Sequence, residues 1–470
     1  MIMKIKRMIA GLMAVCVIGI NCQSLSNIFN VTGITAFASS ENTEDTYELL
    51  TYINYGDYIE IIDCDFYVET VEIPAEIDGV PVTSIRYNTF CNCSDLKSIV
   101  IPDSVTIIGE RAFFGCTSLT SIKIPDSVTT IGYGAFYDCT NLTSIEIPDN
   151  IKNIEGQVFY GTSWLEEKRK ESPFVIVNEI LIDGYTCSGD IIIPDSVTSI
   201  GDGAFQGCNG LTSIVIPDSI ISIGNNAFWD CKSLTSIVIP DSIISIGNGA
   251  FGGCSDLKSI KISDSVTTIG KNTFYYCTGL TSIEISKRLD TISENMFNHC
   301  YSLTTVEIPE SVTSIEWMAF YECENLTSIT ILNPECKIYD RNNTITNINT
   351  GNGNTTPYFN GTIYGYDNST AQAYAEKYGC KFVSLGQFTE KEVLLGDVNG
   401  DNFVNAVDAT MVLVEYAELS TGNSSTLTES AGKSADVNKD GMINAVDATV
   451  ILQYYAHLST GGTGSIENFT

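Results

Sequence analysis

The sequence predicts a mostly β solenoid of about ten 23-residue coils, followed by a small α-helical module carrying two calcium loops. Three observations carry this expectation. Isoleucine, usually followed by proline, recurs at Ile101, Ile124, Ile147, Ile193, Ile216, Ile239, Ile262, Ile285, Ile308 and Ile331, in steps of 23 residues with a single step of 46. Cysteine keeps the same beat at Cys93, Cys116, Cys139, Cys208, Cys231, Cys254, Cys277, Cys300 and Cys323, and phenylalanine keeps it from Phe90 to Phe320. Near the C-terminus, 397–422 and 436–461 align at an offset of 39 and share 17 of 26 positions. A fixed period of this kind means stacked coils, each burying its apolar side only against its neighbours.

The chain opens as an export signal. Lys4, Lys6 and Arg7 precede an apolar run from Met8 to Ile20, and Ala36-Phe37-Ala38 offers a small-x-small cleavage site. Residues 1–38 are therefore read as a signal peptide, removed after Ala38. Its apolar run is short for a membrane span, and no later stretch is long enough for one. The expected mature chain is secreted, without direct membrane insertion. Formal charge is −33, and removing the three basic residues of the leader lowers it to −36. A backbone-phosphate binder needs a basic stripe, so nucleic acid is excluded as a partner.

One coil, 112–134, shows the logic of the repeat. Leu119, Ile122 and Ile124 have the spacing of a short strand with Lys123 pointing outward between the isoleucines. Pro125-Asp126 ends the strand, since proline cannot donate to a ladder. Val128 and Ile131 re-enter the core, and Ala135, Phe136 and Cys139 begin the next inward set. The nine column cysteines read as reduced core residues, because free cysteine packs as a small hydrophobe, with an occasional bridge between neighbouring coils as the alternative. Cys64, Cys91, Cys187, Cys336 and Cys380 lie off the column, and the sequence does not pair them.

Departures from the beat mark the remaining organisation. Residues 39–90 read as an N-terminal β cap and 91–332 as the solenoid. An irregular coil at 162–190 holds a charged helical run, Glu166 to Glu171, and an apolar stretch, Phe174 to Ile182. Residues 333–386 read as a loose loop (341–357) and a strand–helix–strand cap, 387–395 as a linker, and 396–465 as the C-terminal module. Caps are expected, since an open solenoid end exposes apolar side chains and strand edges.

The repeat unit, Ala-Phe-x-x-Cys-x-x-Leu-x-x-Ile-x-Ile-Pro-x-x-Val-x-x-Ile-Gly, resembles the BspA-type leucine-rich repeat family over about 290 residues. The resemblance implies a right-handed solenoid with short parallel strands on one face. Two outward columns are candidate ligand surfaces. Ile192, Val215 and Val238 would form an apolar patch at mid-solenoid, read either as a partner site or as plain β-propensity. Tyr137, Trp229 and Tyr275 belong to an aromatic column that either stacks on sugar rings or shields the core beneath it. Lys123 beside Glu146 and Lys261 beside Glu284 would form cross-strand pairs.

Each half of the C-terminal duplication opens with oxygen donors at the spacing of a calcium loop. Asp397, Asn399, Asp401 and Asp408 hold the first, third, fifth and twelfth positions of one loop, and Asp436, Asn438, Asp440 and Asp447 those of the other. The seventh-position carbonyls belong to Phe403 and Met442, with Asn405 and Asn444 at the ninth. Hard Ca²⁺ takes six to eight oxygens, and this spacing wraps them around one point, so two Ca²⁺ sites are expected. A helix is expected to start at each last ligand. Paired loops of this type, each followed by one helix, resemble a type I dockerin over about 70 residues. That resemblance implies a cohesin module of a scaffoldin as partner, with recognition through Ala406-Val407 and Ala445-Val446. Asn402 stands where the second loop keeps Gly441, which implies a weaker first site.

No catalytic constellation emerges. The acids follow the repeat or the loops, there are only two histidines (His299 and His457), and no Gly-x-Ser-x-Gly elbow is present. The chain reads as a non-catalytic protein held on a cellulosome scaffoldin, its solenoid binding a polysaccharide or a protein and assisting polysaccharide breakdown. The alternative is an adhesive or structural surface protein attached through cohesin.

Overall fold

The structure, a computed structural model, describes residues 44–348, 358–388, 394–400, 403–422, 425–427 and 429–470. The expected signal peptide and most of the expected linker lie outside these residues. In coil 112–134, Ser121–Lys123 is the expected strand, with Ile122 buried and Lys123 exposed. A second strand of two residues, Thr130–Ile131, follows the proline turn. Both pair in parallel with their equivalents 23 residues on, Ser121 with Ser144 and Thr130 with Asn153. The solenoid thus carries two strand ladders where one was expected. The second was hidden in the sequence because a two-residue strand shows no alternation.

Three side-chain columns fill the interior. Phe90, Phe113 and Phe136 stack with ring centroids 5.1 and 5.2 Å apart and planes within 2°. The column resumes from Phe205 to Phe320 with the same offset-stacked geometry. Stacking of this kind adds about 0.5–1.5 kcal/mol per pair beyond area burial. Beside it, the cysteines from Cys116 to Cys323 are fully buried and free, and the isoleucines close the coil. Two backbone positions per coil adopt left-handed φ, as at Asn226 and Asp230, which explains the recurrent Asn, Asp and Gly there. Arg111, Met318, Tyr276 and His299 occupy the same positions, so they are held left-handed by the neighbouring coils rather than by preference.

The repeat breaks where the sequence breaks. A helix, α1 (Ser163–Glu171), is capped by Thr162, whose hydroxyl accepts from Leu165 N, and a hairpin of Val175–Val177 and Ile180–Asp183 follows. The core divides here into two clusters, one ending at Val175 and the other beginning at Leu181. Arg169 reaches from α1 to Asp183, with Nε to Oδ1 at 3.0 Å and Nη2 to Oδ2 at 2.6 Å. The guanidinium also lies between the rings of Tyr160 and Tyr185.

The solenoid has about 14 turns, more than the ten expected, because both ends add rungs to its ladders. At the start, Thr70–Glu72 pairs with Ser98–Val100, and Ile59–Cys64 pairs with Val80–Ile85. At the end, Thr362–Gly365, a helix α2 (Thr370–Tyr378) and Lys381–Ser384 continue the first ladder in parallel from Ser328–Ile331. The expectation of a loose loop at 341–357 is corrected for its described part. Thr344, Ile345, Thr346 and Asn347 are buried, with Phe320 N donating to Thr344 O and Cys323 N to Thr346 O. Polar residues fill this coil because Asn347 is satisfied by its neighbours, Nδ2 donating to Leu326 O of the preceding coil at 2.7 Å and Oδ1 accepting from Asn360 N at 3.0 Å. Residues 349–357 lie outside the described residues.

Candidate functional site

The second duplicated loop is described throughout. Asp440 N donates to Asp436 Oδ1 at 3.1 Å and to Asn438 Oδ1 at 2.9 Å, Gly441 N donates to Asp436 Oδ2 at 2.9 Å, and Met442 N donates to Asp440 Oδ1 at 2.8 Å. The oxygens at the first, third and fifth positions are therefore turned into the loop by its own amides. Gly441 supports the bend with φ of +82°. Asp447 is fully buried, its Oδ1 accepting from Val437 N at 3.0 Å and Asn438 N at 3.3 Å.

The first loop repeats this arrangement where it is described. Asp408, also fully buried, accepts from Val398 N at 2.9 Å and Asn399 N at 3.1 Å. Asp397 is buried beside it, while Asp401 and Asn402 lie outside the described residues. Helices α3 (Ala406–Ser420) and α5 (Ala445–Ser459) begin two residues before the expected start. The reason is a capping box. Asn405 and Asn444 cap the helices, and Asp408 and Asp447 accept from the cap amides at 2.8 and 3.0 Å. The ninth-position asparagines are thereby engaged with the backbone, Asn405 Oδ1 accepting from Val407 N and Asn444 Oδ1 from Val446 N, each at 2.8 Å. A short helix, α4 (Glu429–Ala435), lies between them in the chain, and Ala409, Val412, Val437, Ala448, Ile451 and Ile466 form the module's core.

Chemically the second loop suits a hard cation. Asp436 and Asp440 offer carboxylate oxygens and Asn438 an amide oxygen, with Asn438 Nδ2 donating to Asp440 Oδ2 at 3.0 Å, and each of these oxygens retains a lone pair after its internal bonds. The loop's one cation, Lys439, is drawn to Glu467 at 2.9 Å. Among the described residues, no three His, Cys, Asp or Glu side chains are gathered as a metal cluster. Phe403 and Met442 present exposed side chains, and their carbonyls accept from Asn405 Nδ2 and Asn444 Nδ2 at 3.5 and 3.3 Å. Ala406-Val407 and Ala445-Val446 are exposed at the first turn of their helices, in equivalent settings.

On the solenoid, Ile192, Val215 and Val238 pair directly in register along one ladder. They are 71, 54 and 74 % exposed, which makes a contiguous apolar row. Tyr137 is half-buried between Phe114 and Tyr160, at centroid distances of 5.2 and 5.0 Å. Trp229 and Tyr275, also half-buried, stack on one another at 6.1 Å. These rings use their faces on each other, and the apolar row does not.

A model of the BspA type leucine rich repeat region matches residues 68–178, 185–262 and 221–349, together more than half of the chain. This chain belongs to the BspA-type leucine-rich repeat family. A type I dockerin domain matches residues 395–455. Similar solved structures include a leucine rich cell surface protein from Faecalibacterium prausnitzii A2-165, at 27 % identity over 65 % of this chain and 97 % of that one, with a TM-score of 0.29. Leucine-rich repeat proteins from Bacteroides ovatus (22 %, covering 72 % and 100 %, TM-score 0.33) and Eubacterium ventriosum (20 %, covering 77 % and 99 %, TM-score 0.32) are similar too. No curated protein matches the chain.

A BspA-type solenoid is a binding architecture, and a type I dockerin binds calcium and a cohesin module. No enzymatic domain is found beside them. Among the described residues, no helix is long and apolar enough to cross a membrane. One surface feature of this BspA-type chain escaped sequence reasoning. Ile221 and Ile244 are exposed on the same coils as the apolar row and are joined by the bond from Ile244 N to Ile221 O. The signal was present, because that column otherwise carries polar residues: Thr106, Thr129, Lys152, Thr198, Thr267, Asp290 and Thr313.

Proposed function

We propose that this chain is a secreted, non-catalytic binding protein that docks onto a cellulosome scaffoldin through two calcium loops and a cohesin contact. The observation that carries the reading is the duplicated loop itself. Each copy buries its last aspartate and presents the same exposed Ala-Val pair at a helix start. Two equivalent faces would let cohesin bind in either of two orientations. The exposed row Ile192–Val215–Val238, with Ile221 and Ile244 nearby on the same coils, supports a protein as the ligand of the solenoid. In this role the protein assists polysaccharide breakdown by recruiting its ligand to the scaffold.

The test has two arms on the full chain. Capture by an immobilised type I cohesin in calcium, lost in chelator, is expected, and no capture in calcium would remove the docking reading. Depletion on insoluble cellulose, xylan and pectin is expected to leave the protein in solution. Retention on one polymer would instead make the solenoid a carbohydrate-targeting surface, with Tyr137, Trp229 and Tyr275 as the first residues to change. Adhesion to cells that fails with Val215→Asp would turn the protein-ligand reading toward a surface adhesin.

A further inference from the structure

Eight of the nine column cysteines point Sγ at a backbone carbonyl. Cys116 donates to Phe90 O at 3.1 Å, Cys139 to Phe113 O at 3.0 Å and Cys208 to Cys187 O at 3.0 Å. Cys231, Cys254, Cys277, Cys300 and Cys323 repeat the bond to a phenylalanine carbonyl 26 residues back. Cys93 heads the column, so its coil follows the cap rather than another repeat. Its Sγ lies 3.1 Å from Sγ of Cys64, the last residue of cap strand Ile59–Cys64, and both are buried thiols in the structure.

We propose that Cys64 and Cys93 form a disulfide that bolts the N-terminal cap to the first regular coil. Closing the two sulfurs to a bonded distance of about 2.05 Å needs roughly 1 Å of movement. The other column cysteines are anchored on carbonyls, including Cys116 and Cys139, whose thiols also meet one another. Cys91, two residues away, is half-buried with Asn92 Nδ2 donating to its sulfur at 3.4 Å, so it is the competitor to exclude. The hydrogen bond from Cys64 holds the Cys93 thiol below its ordinary value. When the cap opens and exposes the two buried sulfurs, the Cys93 thiolate attacks an external disulfide such as oxidised glutathione, giving a mixed disulfide and one released thiol. Cys64 then displaces the second glutathione, so two thiols are oxidised and one disulfide is reduced to two thiols. The bond would hold a cap whose loss exposes Phe90 and Leu96, both fully buried now.

The experiment treats the purified full chain with oxidised glutathione, alkylates it with iodoacetamide in denaturant, and maps non-reduced peptides by mass spectrometry. A peptide pair joined through Cys64 and Cys93 is expected, with Cys116 to Cys323 alkylated. Dithiothreitol should then lower the Tm of the oxidised chain by about 5 °C and leave that of Cys64→Ala/Cys93→Ala unchanged. Alkylation of both Cys64 and Cys93 after oxidation, or a link through Cys91, would overturn the proposal. Oxidation in vitro makes the result independent of whether the chain is exported.

Discussion

The indole of Trp229 lies over the α-carbon of Gly252. A β-carbon on Gly252 would stand 2.3 Å from Trp229 Cε3 and Cζ3, and beyond that glycine the indole stacks on Tyr275 at an angle of 19°. The aromatic column skips one coil here and is bridged by its largest ring.

Gly252→Ala should therefore push the indole outward without straining the backbone. We expect a red shift in tryptophan emission and a loss of about 1 kcal/mol, the value of one aromatic stack. Unchanged emission would mean that the ring does not occupy this space.

Among the described ion pairs, Arg169–Asp183 is buried on both sides at 8 and 13 % exposed, followed by His299–Glu322 at 15 and 13 %. Arg169→Met should destabilise the solenoid by about 3 kcal/mol, because it strands a buried carboxylate. Arg169→Met/Asp183→Leu should recover most of that loss, read as Tm by circular dichroism. Equal losses in both variants would assign the effect to packing instead of charge.

Titration calorimetry with Ca²⁺ should return two sites per chain, and Asp436→Ala should return one. Chelation should lower helical circular dichroism and leave the β signal, since α3 and α5 are built on the loops while α1, α2 and the strands belong to the solenoid. Two sites in the Asp436→Ala chain would show that the second loop is not a calcium site.

Cohesin capture should survive Val407→Asp alone and Val446→Asp alone, because each half presents the same pair. The double variant should lose capture by 100-fold or more, on the order of 3 kcal/mol. A full loss in one single variant would mean that one half alone does the docking.

Burial pushes the thiols of Cys187, Cys277 and Cys336 up to about 12. A thiol whose folded value lies above its unfolded value of about 8.5 contributes stability below that pH and loses it as pH rises toward 12. Tm should therefore fall between pH 8 and pH 11, and native Cys277 should resist iodoacetamide at pH 8. Rapid labelling of Cys277 in the folded chain would contradict its burial.

The sequence by itself determined the stacking. A 23-residue period with Ile, Phe and Cys in fixed columns leaves each coil one way to bury its apolar side, so Phe113 could only meet Phe90 and Phe136. Loop spacing likewise fixed which oxygens converge, since first, third and fifth positions of a tight turn face one point. Tertiary structure alone decided the rest. The approach of Cys64 to Cys93, the reach of Arg169 to Asp183 and the burial of Thr344 to Asn347 all occur where a coil lacks a regular predecessor or successor. There the period says nothing, and shape complementarity between unrelated segments selects the contact. The same holds for Trp229, whose ring conformation depends on a missing side chain one coil away.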